Sequence, residues 1–268
     1  MTIFLYIICI LIWGTSWIAI SFQIGEIPLI TSIFYRFALA TIMLVPFLFF
    51  TKKIHTTKKI DHVWFFLQGI CFFSLNFFMF YHASKYLPSG IVAIIFSSVL
   101  VFNSINKWIF KKQSVSKVEF FGTFFGLIGI CFLFSPEITS SKVDKFFFIG
   151  VIYAVFGTII FSIGNFISAR NATHSISVFT STAYSMFYGT VVLFFSILIT
   201  HTPINISFNE KYLYSLIYLS LFASVFGFLA YISLIGRIGI NNASYCMVTF
   251  PILSLFLSIK LEGYTWGG

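Results

Sequence analysis

Arg36 lies in the apolar run LITSIFYRFALATIMLVPFLFF, about eight residues beyond Pro28. At about 1.5 Å of helical rise per residue that is roughly 12 Å from the end of the run. A guanidinium at the centre of a membrane costs about 2.5–3.5 kcal/mol on insertion scales, so something must offset it. Three readings are open: an anchor or gate for an anionic group, a side chain that snorkels to the interface, or a hydrogen-bond donor to helix-end carbonyls. No other Arg stands well inside an apolar run.

Polar residues recur at helical spacing in the second half of the chain. Ser181, Tyr184, Ser185 and Tyr188 share one face, as do Ser220, Ser224, Gly227 and Tyr231. So do Thr158, Ser162 and Asn165, and again Asn242, Tyr245 and Thr249. Small and hydroxyl residues also let helices approach, so close packing explains any single stripe. Four together point to a wetted cavity. In the first half, Gln68, Asn76, Asn103 and Asn106 are either interhelical glue or ligands, and His82 stands near the outer end of its run. Trp13 and Trp17 flank Gly14 as an aromatic wall. Lys85 and Arg237 are either interfacial anchors or gates.

Other chemistry is missing. The seven acidic residues fall in loops or at the ends of apolar runs, which argues against a carboxylate proton relay within the membrane. No phosphate-binding GxxxxGK[ST] loop, HExxH or Ser-His-Asp pattern occurs. Neither ATP-driven pumping nor enzymatic catalysis is therefore expected. Cys9, Cys71, Cys131 and Cys246 lie in apolar runs without a CxxC pair, so neither metal nor cofactor is expected.

The elements that must carry these residues are long and apolar. Of the 268 residues, 59% are hydrophobic and 9% charged, against roughly 25% charged in soluble domains. Too few charges remain to build a water-facing surface. Apolar runs cover 3–22, 29–50, 63–83, 88–108, 118–135, 146–167, 177–199, 212–233 and 242–261. Each is long enough to cross a bilayer. The expectation is an all-α polytopic membrane protein with nine spans. The net charge of +9 then reflects loop lysines that set topology, not nucleic-acid binding.

A faint repeat runs through the chain. WGTSWIAISFQI (13–24) matches FSIGNFISARNA (161–172), and SKYLPSGIVAII (84–95) matches GRIGINNASYCM (236–247). The second match pairs Lys85 with Arg237. Five spans per copy is an odd number, so the second copy must be inverted, the architecture of secondary transporters. The copies are expected at 1–136 and 146–268. The second stops after KLEGYTWGG, so nine spans are seen where ten are expected.

WGTSWIAISFQIGEIP, FYRFALA, SIGNFISARN, GRIGINNASY with Pro251, and LEGYTW, in this order and spacing, resemble the EamA-type members of the drug/metabolite transporter superfamily. The resemblance covers the whole chain. It implies ten helices in two five-span repeats, four spans of each lining a central cavity. It also implies export of a small metabolite, an amino acid or drug-like solute, across the cell (inner) membrane by alternating access. Through the family's WG motif it places Trp13 and Trp17 in the cavity wall. Arg36 would attract a carboxylate, and Asn76, Asn165, Ser181, Tyr184, Tyr188, Ser224, Tyr231, Tyr245 and Thr249 would complete the lining. Lys85, Arg237 and Pro251 would act at the gates. Val99 stands where relatives often carry the counterpart of Pro251, so a broken helix is expected in the second half alone. A channel-like facilitator and a non-transporting copy of the same fold are the competing readings. The partners are then solute and lipid, with Gly122, Gly126 and Gly129 a candidate dimer contact.

Ten of the sixteen Lys and Arg residues fall in even-numbered loops or at their edges, which places the N-terminus in the cytoplasm. Single cysteines introduced at 51–61 and 109–117 in a cysteine-free background should therefore resist impermeant reagents in intact cells and react in everted vesicles. Labelling of both from outside refutes the orientation.

Overall fold

The computed structural model describes residues 1–112 and 145–264, together with positions 121, 125, 128 and 129. Most of the expected span 118–135, with Gly122 and Gly126, lies outside the described residues. The described residues form α1 (Thr2–Ser21), α2 (Leu29–Phe50), α3 (Lys59–Phe73), α4 (Leu75–Ser84), α5 (Ser89–Ser97) and α6 (Val99–Lys111). Then come α7 (Lys145–Thr173), α8 (Val178–Ile199), α9 (Glu210–Tyr218), a π-helical segment Leu219–Phe226, α10 (Gly227–Ile238), α11 (Ile240–Ser244) and α12 (Cys246–Leu261). No strand occurs among them. They compose eight helices long and apolar enough to cross a membrane, four of them discontinuous: Lys59–Ser84, Ser89–Ile109, Glu210–Ile238 and Ile240–Leu261.

The distribution of polarity marks the surrounding solvent. Phe50 and Phe208 are 80% and 82% exposed, whereas Arg36 is 1% exposed and Gln23, Gln68, Asn76 and Asn165 are fully buried. Water would reverse this order; hydrocarbon rewards it, because polar side chains must find partners inside the bundle. The chain is a multi-pass membrane protein.

Helix ends follow local chemistry. Pro28 and Pro88 precede α2 and α5, positions where a missing N–H costs nothing. Ser177 caps α8 by accepting from Thr180 N at 3.1 Å, and Asn209 caps α9 by accepting from Lys211 N at 2.9 Å. Gly239, at φ +81° and ψ 167°, turns the chain from α10 into α11 in a region open to glycine.

The interior breaks depart from expectation. The Lys59–Ser84 span breaks at Ser74 (φ −140°, ψ −77°), and the Ser89–Ile109 span breaks at Ser98. The first half therefore has broken helices without proline. In the Ile240–Leu261 span the break is at Tyr245, and Pro251 sits buried within the continuous helix α12. At both of the first two breaks a serine hydroxyl bonds back to a carbonyl of the preceding turn, Ser74 to Ile70 O at 3.2 Å and Ser98 to Ile95 O at 2.6 Å, a bond that competes with the helical ladder.

Packing interleaves the two halves. α1 lies against α12, α10 and α5; α2 against α8 and the π segment; α3 against α8 and α7; α4 and α6 against α7. At the α3–α8 crossing Gly69 faces Gly189, and a Cβ on Gly69 would stand 2.5 Å from Ser185 O and 2.8 Å from Gly189 N. On α7, Gly150, Gly157 and Gly164 receive Leu87, Phe80 and Phe72. The obstacle at Gly69 is backbone, which cannot swing aside. Gly69→Ala should therefore cost about 1–3 kcal/mol and lower the melting midpoint of the purified protein in detergent. Gly236→Ala, whose added Cβ meets only Ala172 Cβ at 3.7 Å, should leave it unchanged.

Candidate functional site

The π segment organises the centre of the bundle. A π turn displaces carbonyls and side chains from their α-helical positions. Here Ala223 O accepts from Trp13 Nε1 at 3.1 Å, and Ser224 Oγ accepts from Arg36 Nε at 2.9 Å. The Arg36 guanidinium lies over the Phe77 ring at 4.3 Å and near Phe37 at 5.3 Å, contacts worth about 0.5–2 kcal/mol. The Tyr81 hydroxyl, beside this guanidinium, donates to Gln23 Oε1 at 2.6 Å. Among the described residues no carboxylate pairs with Arg36, and its Nη1 has no hydrogen-bond partner.

These groups border a central cavity. Trp13, Ser16 and Trp17 of α1, Arg36 of α2 and Asn76 and Phe77 of α4 line it, with Phe80, Phe96, Phe161, Phe228 and Phe250 closing the aromatic wall. The rings interlock: Trp17 meets Phe80 at 5.2 Å edge-on, and Phe96 meets Phe161 at 4.8 Å edge-on. The cavity volume is about 30 Å³, room for about two waters and far below the roughly 300–1,000 Å³ of an occupied ligand site.

A buried polar network adjoins this wall. Asn103 Nδ2 donates to Ser244 Oγ at 2.9 Å, while Asn103 Oδ1 accepts from Ser162 Oγ at 2.7 Å and Asn165 Nδ2 at 3.1 Å. Asn106 Nδ2 donates to Ser162 Oγ at 2.8 Å. The Tyr231 hydroxyl donates to Asn165 Oδ1 at 3.0 Å and lies 3.0 Å from Ser244 Oγ. The Tyr231 ring packs on Trp13 at 5.1 Å, so one side chain joins the network to the cavity wall.

Beyond the network, towards the end of the bundle rich in Lys and Arg, opens a vestibule of about 490 Å³ lined by Lys107, Ala169, Ile235, Ile240 and neighbours. At this basic end Arg170 Nη1 pairs with Asp61 Oδ1 at 2.8 Å and lies over Trp64 at 5.0 Å. Asn171 Nδ2 donates to Gln68 Oε1 at 2.7 Å. At the opposite end Glu262, just past α12, accepts from Ser89 N at 3.0 Å and Ser89 Oγ at 2.8 Å, and also from Ser258 Oγ. It caps α5 across the bundle.

The structure thus brings Trp13, Trp17, Arg36 and Asn76 around one cavity, with Ser224 holding Arg36. Asn165 and Tyr231 belong to the adjoining network. Tyr184 and Tyr188 face α3 instead: Tyr184 stacks on Phe65 at 5.4 Å, and the Tyr188 hydroxyl lies 2.9 Å from His62 Nδ1, while the buried Ser181 hydroxyl bonds back to Val178 O at 3.2 Å. Tyr245 and Thr249 lie on the exposed side of their span, because Ser244, Met247 and Phe250 take the inward face. Lys85 and Arg237 are exposed near the two ends. His82 packs between Phe78 and Tyr153. The Phe lining, Ser244, Gln23 and the Asp61–Arg170 pair escaped the sequence. Only the last carried a usable signal, opposite charges at the basic ends of two spans.

Comparison with known proteins gives a consistent result. The model of the EamA-like transporter family matches residues 1–135 and 148–266. An uncharacterized transporter in the trpA 3' region of Buchnera aphidicola subsp. Schlechtendalia chinensis is 27% identical, over 98% of this chain and 84% of that protein. Protein PagO of Salmonella typhimurium is 23% identical, over 97% of this chain and 84% of the relative. A crystal structure at 13% identity superposes with a TM-score of 0.71 over 98% of this chain and 89% of that one, which shows the shared fold.

The network makes its own prediction. Asn103→Leu keeps the volume but strands Asn165 Nδ2 and removes the acceptor of Ser162. It should cost about 1–2 kcal/mol, seen as a lower melting midpoint. Thr249→Val, on the exposed side, should melt as the parent does.

Proposed function

Because the chain belongs to the EamA-like transporter family, we propose that it is an alternating-access secondary transporter of the cell membrane, exporting a small metabolite through the central cavity. The observation that carries this reading is the polar network standing between two spaces. Four wall residues of the vestibule, on four different helices, each sit one helical turn from a network residue: Lys107 follows Asn103 by four, Ala169 follows Asn165, Ile235 follows Tyr231, and Ile240 precedes Ser244. Residues four apart share a helical face, so a solute passing from vestibule to cavity must part the network. At the other end the Glu262–Ser89 contact ties the fourth and last spans together. A cavity this small, closed at both ends, fits an occluded state of such a cycle.

Two inverted repeats, the first with five spans at 1–136 and the second with four at 146–268, fit the packing. The family model matches in two segments of similar length. The contacts between halves come in pairs under a shift of five spans. α1 meets the Glu210–Ile238 span as α7 meets the Lys59–Ser84 span; α2 meets the former as α8 meets the latter. The discontinuities fall in those same two spans and in the two that follow them. In this reading the basic end faces the cytoplasm, the vestibule receives the solute, and the broken spans swing about their breaks to open each mouth. Arg36 attracts the solute, and the aromatic wall holds its apolar part.

Everted vesicles carrying the chain should accumulate labelled metabolite from a cell extract with saturable rates and counterflow. Arg36→Ala should abolish this while leaving the inserted amount unchanged. Uptake that never saturates would make the protein a channel, and no uptake at all would make it a non-transporting member of its fold.

A further inference from the structure

We propose that the central cavity, contracted here to about 30 Å³ and widened when its aromatic walls part, is a monocarboxylate site, selective for a flat apolar body bearing one carboxylate and no required amino group. This deepens the transporter reading and rests on it for the direction of movement, not for the binding itself.

Three buried polar atoms on residues that line the cavity lack a hydrogen-bond partner: Arg36 Nη1, Asn76 Nδ2 and Trp17 Nε1. All three are nitrogen donors. Their residues are at most 5% exposed. The direction of the Asn76 amide is fixed by its neighbour, since the Phe77 backbone N–H, which can only donate, bonds Asn76 Oδ1 at 2.8 Å. That leaves the NH₂ group as the unpartnered end. Indole N–H and guanidinium never accept. The cavity therefore presents a one-signed demand: it needs acceptors.

Charge narrows the demand. Arg36 stays protonated, and its ring contacts with Phe77 and Phe37 compensate the charge only in part. Asn76 adds the field of a helix N-terminus, because the break at Ser74 starts α4 one residue before it. A water molecule would satisfy a donor but bring protons of its own and no negative charge. A carboxylate brings two oxygens with about four lone-pair sites and matches a guanidinium in geometry.

The rest of the lining excludes other classes. No acidic side chain borders the cavity. Asn76 Oδ1 is occupied by Phe77, so Ser16 Oγ is the one side-chain oxygen left to accept. An ammonium would gain from the ring faces but would find no carboxylate and be repelled by Arg36. Phe80, Phe96 and Phe250 offer flat apolar walls with no group to solvate a second charge. A dianion is disfavoured for that reason, and a sugar because its hydroxyl donors would find too few acceptors.

The test is equilibrium dialysis of radiolabelled phenylacetate with the purified full-length chain in detergent, in competition with phenylacetamide, phenethylamine and phenylalanine. These probes share one ring and differ in the head group. Phenylacetate should bind saturably, with the amide, the amine and the zwitterion each weaker by about tenfold or more. Arg36→Gln should abolish binding, and Arg36→Lys should weaken it about tenfold, because an ammonium is a point charge without the planar fork. Trp17→Phe and Asn76→Leu remove one donor each while keeping the bulk. They should weaken phenylacetate roughly three- to tenfold and leave phenylacetamide unchanged; they keep the test alive if the Arg36 variants fail to fold. Phenethylamine or phenylalanine binding better than phenylacetate overturns the proposal, as does undiminished binding in Trp17→Phe and Asn76→Leu. Vesicles that transport another metabolite while phenylacetate fails to bind would sink the site and keep the transporter. Phenylacetate that binds but is never moved would do the reverse.

Discussion

A permanent positive charge held in an apolar bundle is the constraint around which the centre of this protein is arranged. Arg36 is within reach of no acid among the described residues, so its burial depends on what α4, α1 and the π segment bring to it. The Ser224 hydroxyl and the Phe77 ring supply partial compensation. Each is delivered by a backbone irregularity: the π turn presents Ser224, and the break at Ser74 begins the helix that carries Asn76 and Phe77. Regular helices through those positions would rotate these side chains elsewhere and leave the guanidinium with lipid-like neighbours, at a cost the fold has no means to absorb.

The same logic separates the two polar regions. The network of Asn103, Ser162, Asn165, Tyr231 and Ser244 pairs its donors with acceptors, so it is content as it stands and rigid. The cavity leaves donors over and is not. A satisfied network next to an unsatisfied pocket is what a gate beside a binding site requires: the gate should favour its closed geometry, and the pocket should gain by being filled. Tyr231 couples them, because its ring packs on Trp13 while its hydroxyl closes the network.

Much of the architecture was legible because hydrocarbon enforces it. A run of some twenty apolar residues has few alternatives to a spanning helix, and the ends of the described spans fall within a few residues of the expected ones. Arg36 stood out by contrast with its surroundings. The face of each span was harder. A 3.6-residue period shows which residues share a side but not which side turns inward when both solvent and core are apolar, so Tyr184, Tyr188, Tyr245 and Thr249 were assigned to a cavity they do not line. The aromatic wall was invisible for a statistical reason: among 39 phenylalanines no five announce themselves. The breaks were hidden because Ser74 and Ser98 are ordinary residues in a span, whereas Pro251, the obvious breaker, is accommodated in a continuous helix.

Gly150, Gly157 and Gly164 stand at seven-residue intervals on α7; Phe72 of α3, Phe80 of α4 and Leu87 of the turn that follows press into them from the neighbouring broken span and its end. Seven residues of helix rise about 10.5 Å, so the three side chains act as teeth in a rack of that pitch. Sliding by a fraction of the pitch drives a side chain into backbone, and sliding by a whole one would carry α7 about a third of the way across the bilayer. Axial shear is therefore blocked along this seam. What the seam leaves free is rolling: the flat faces of the rings can turn on bare backbone, and the two helices can change their crossing angle with the teeth still engaged.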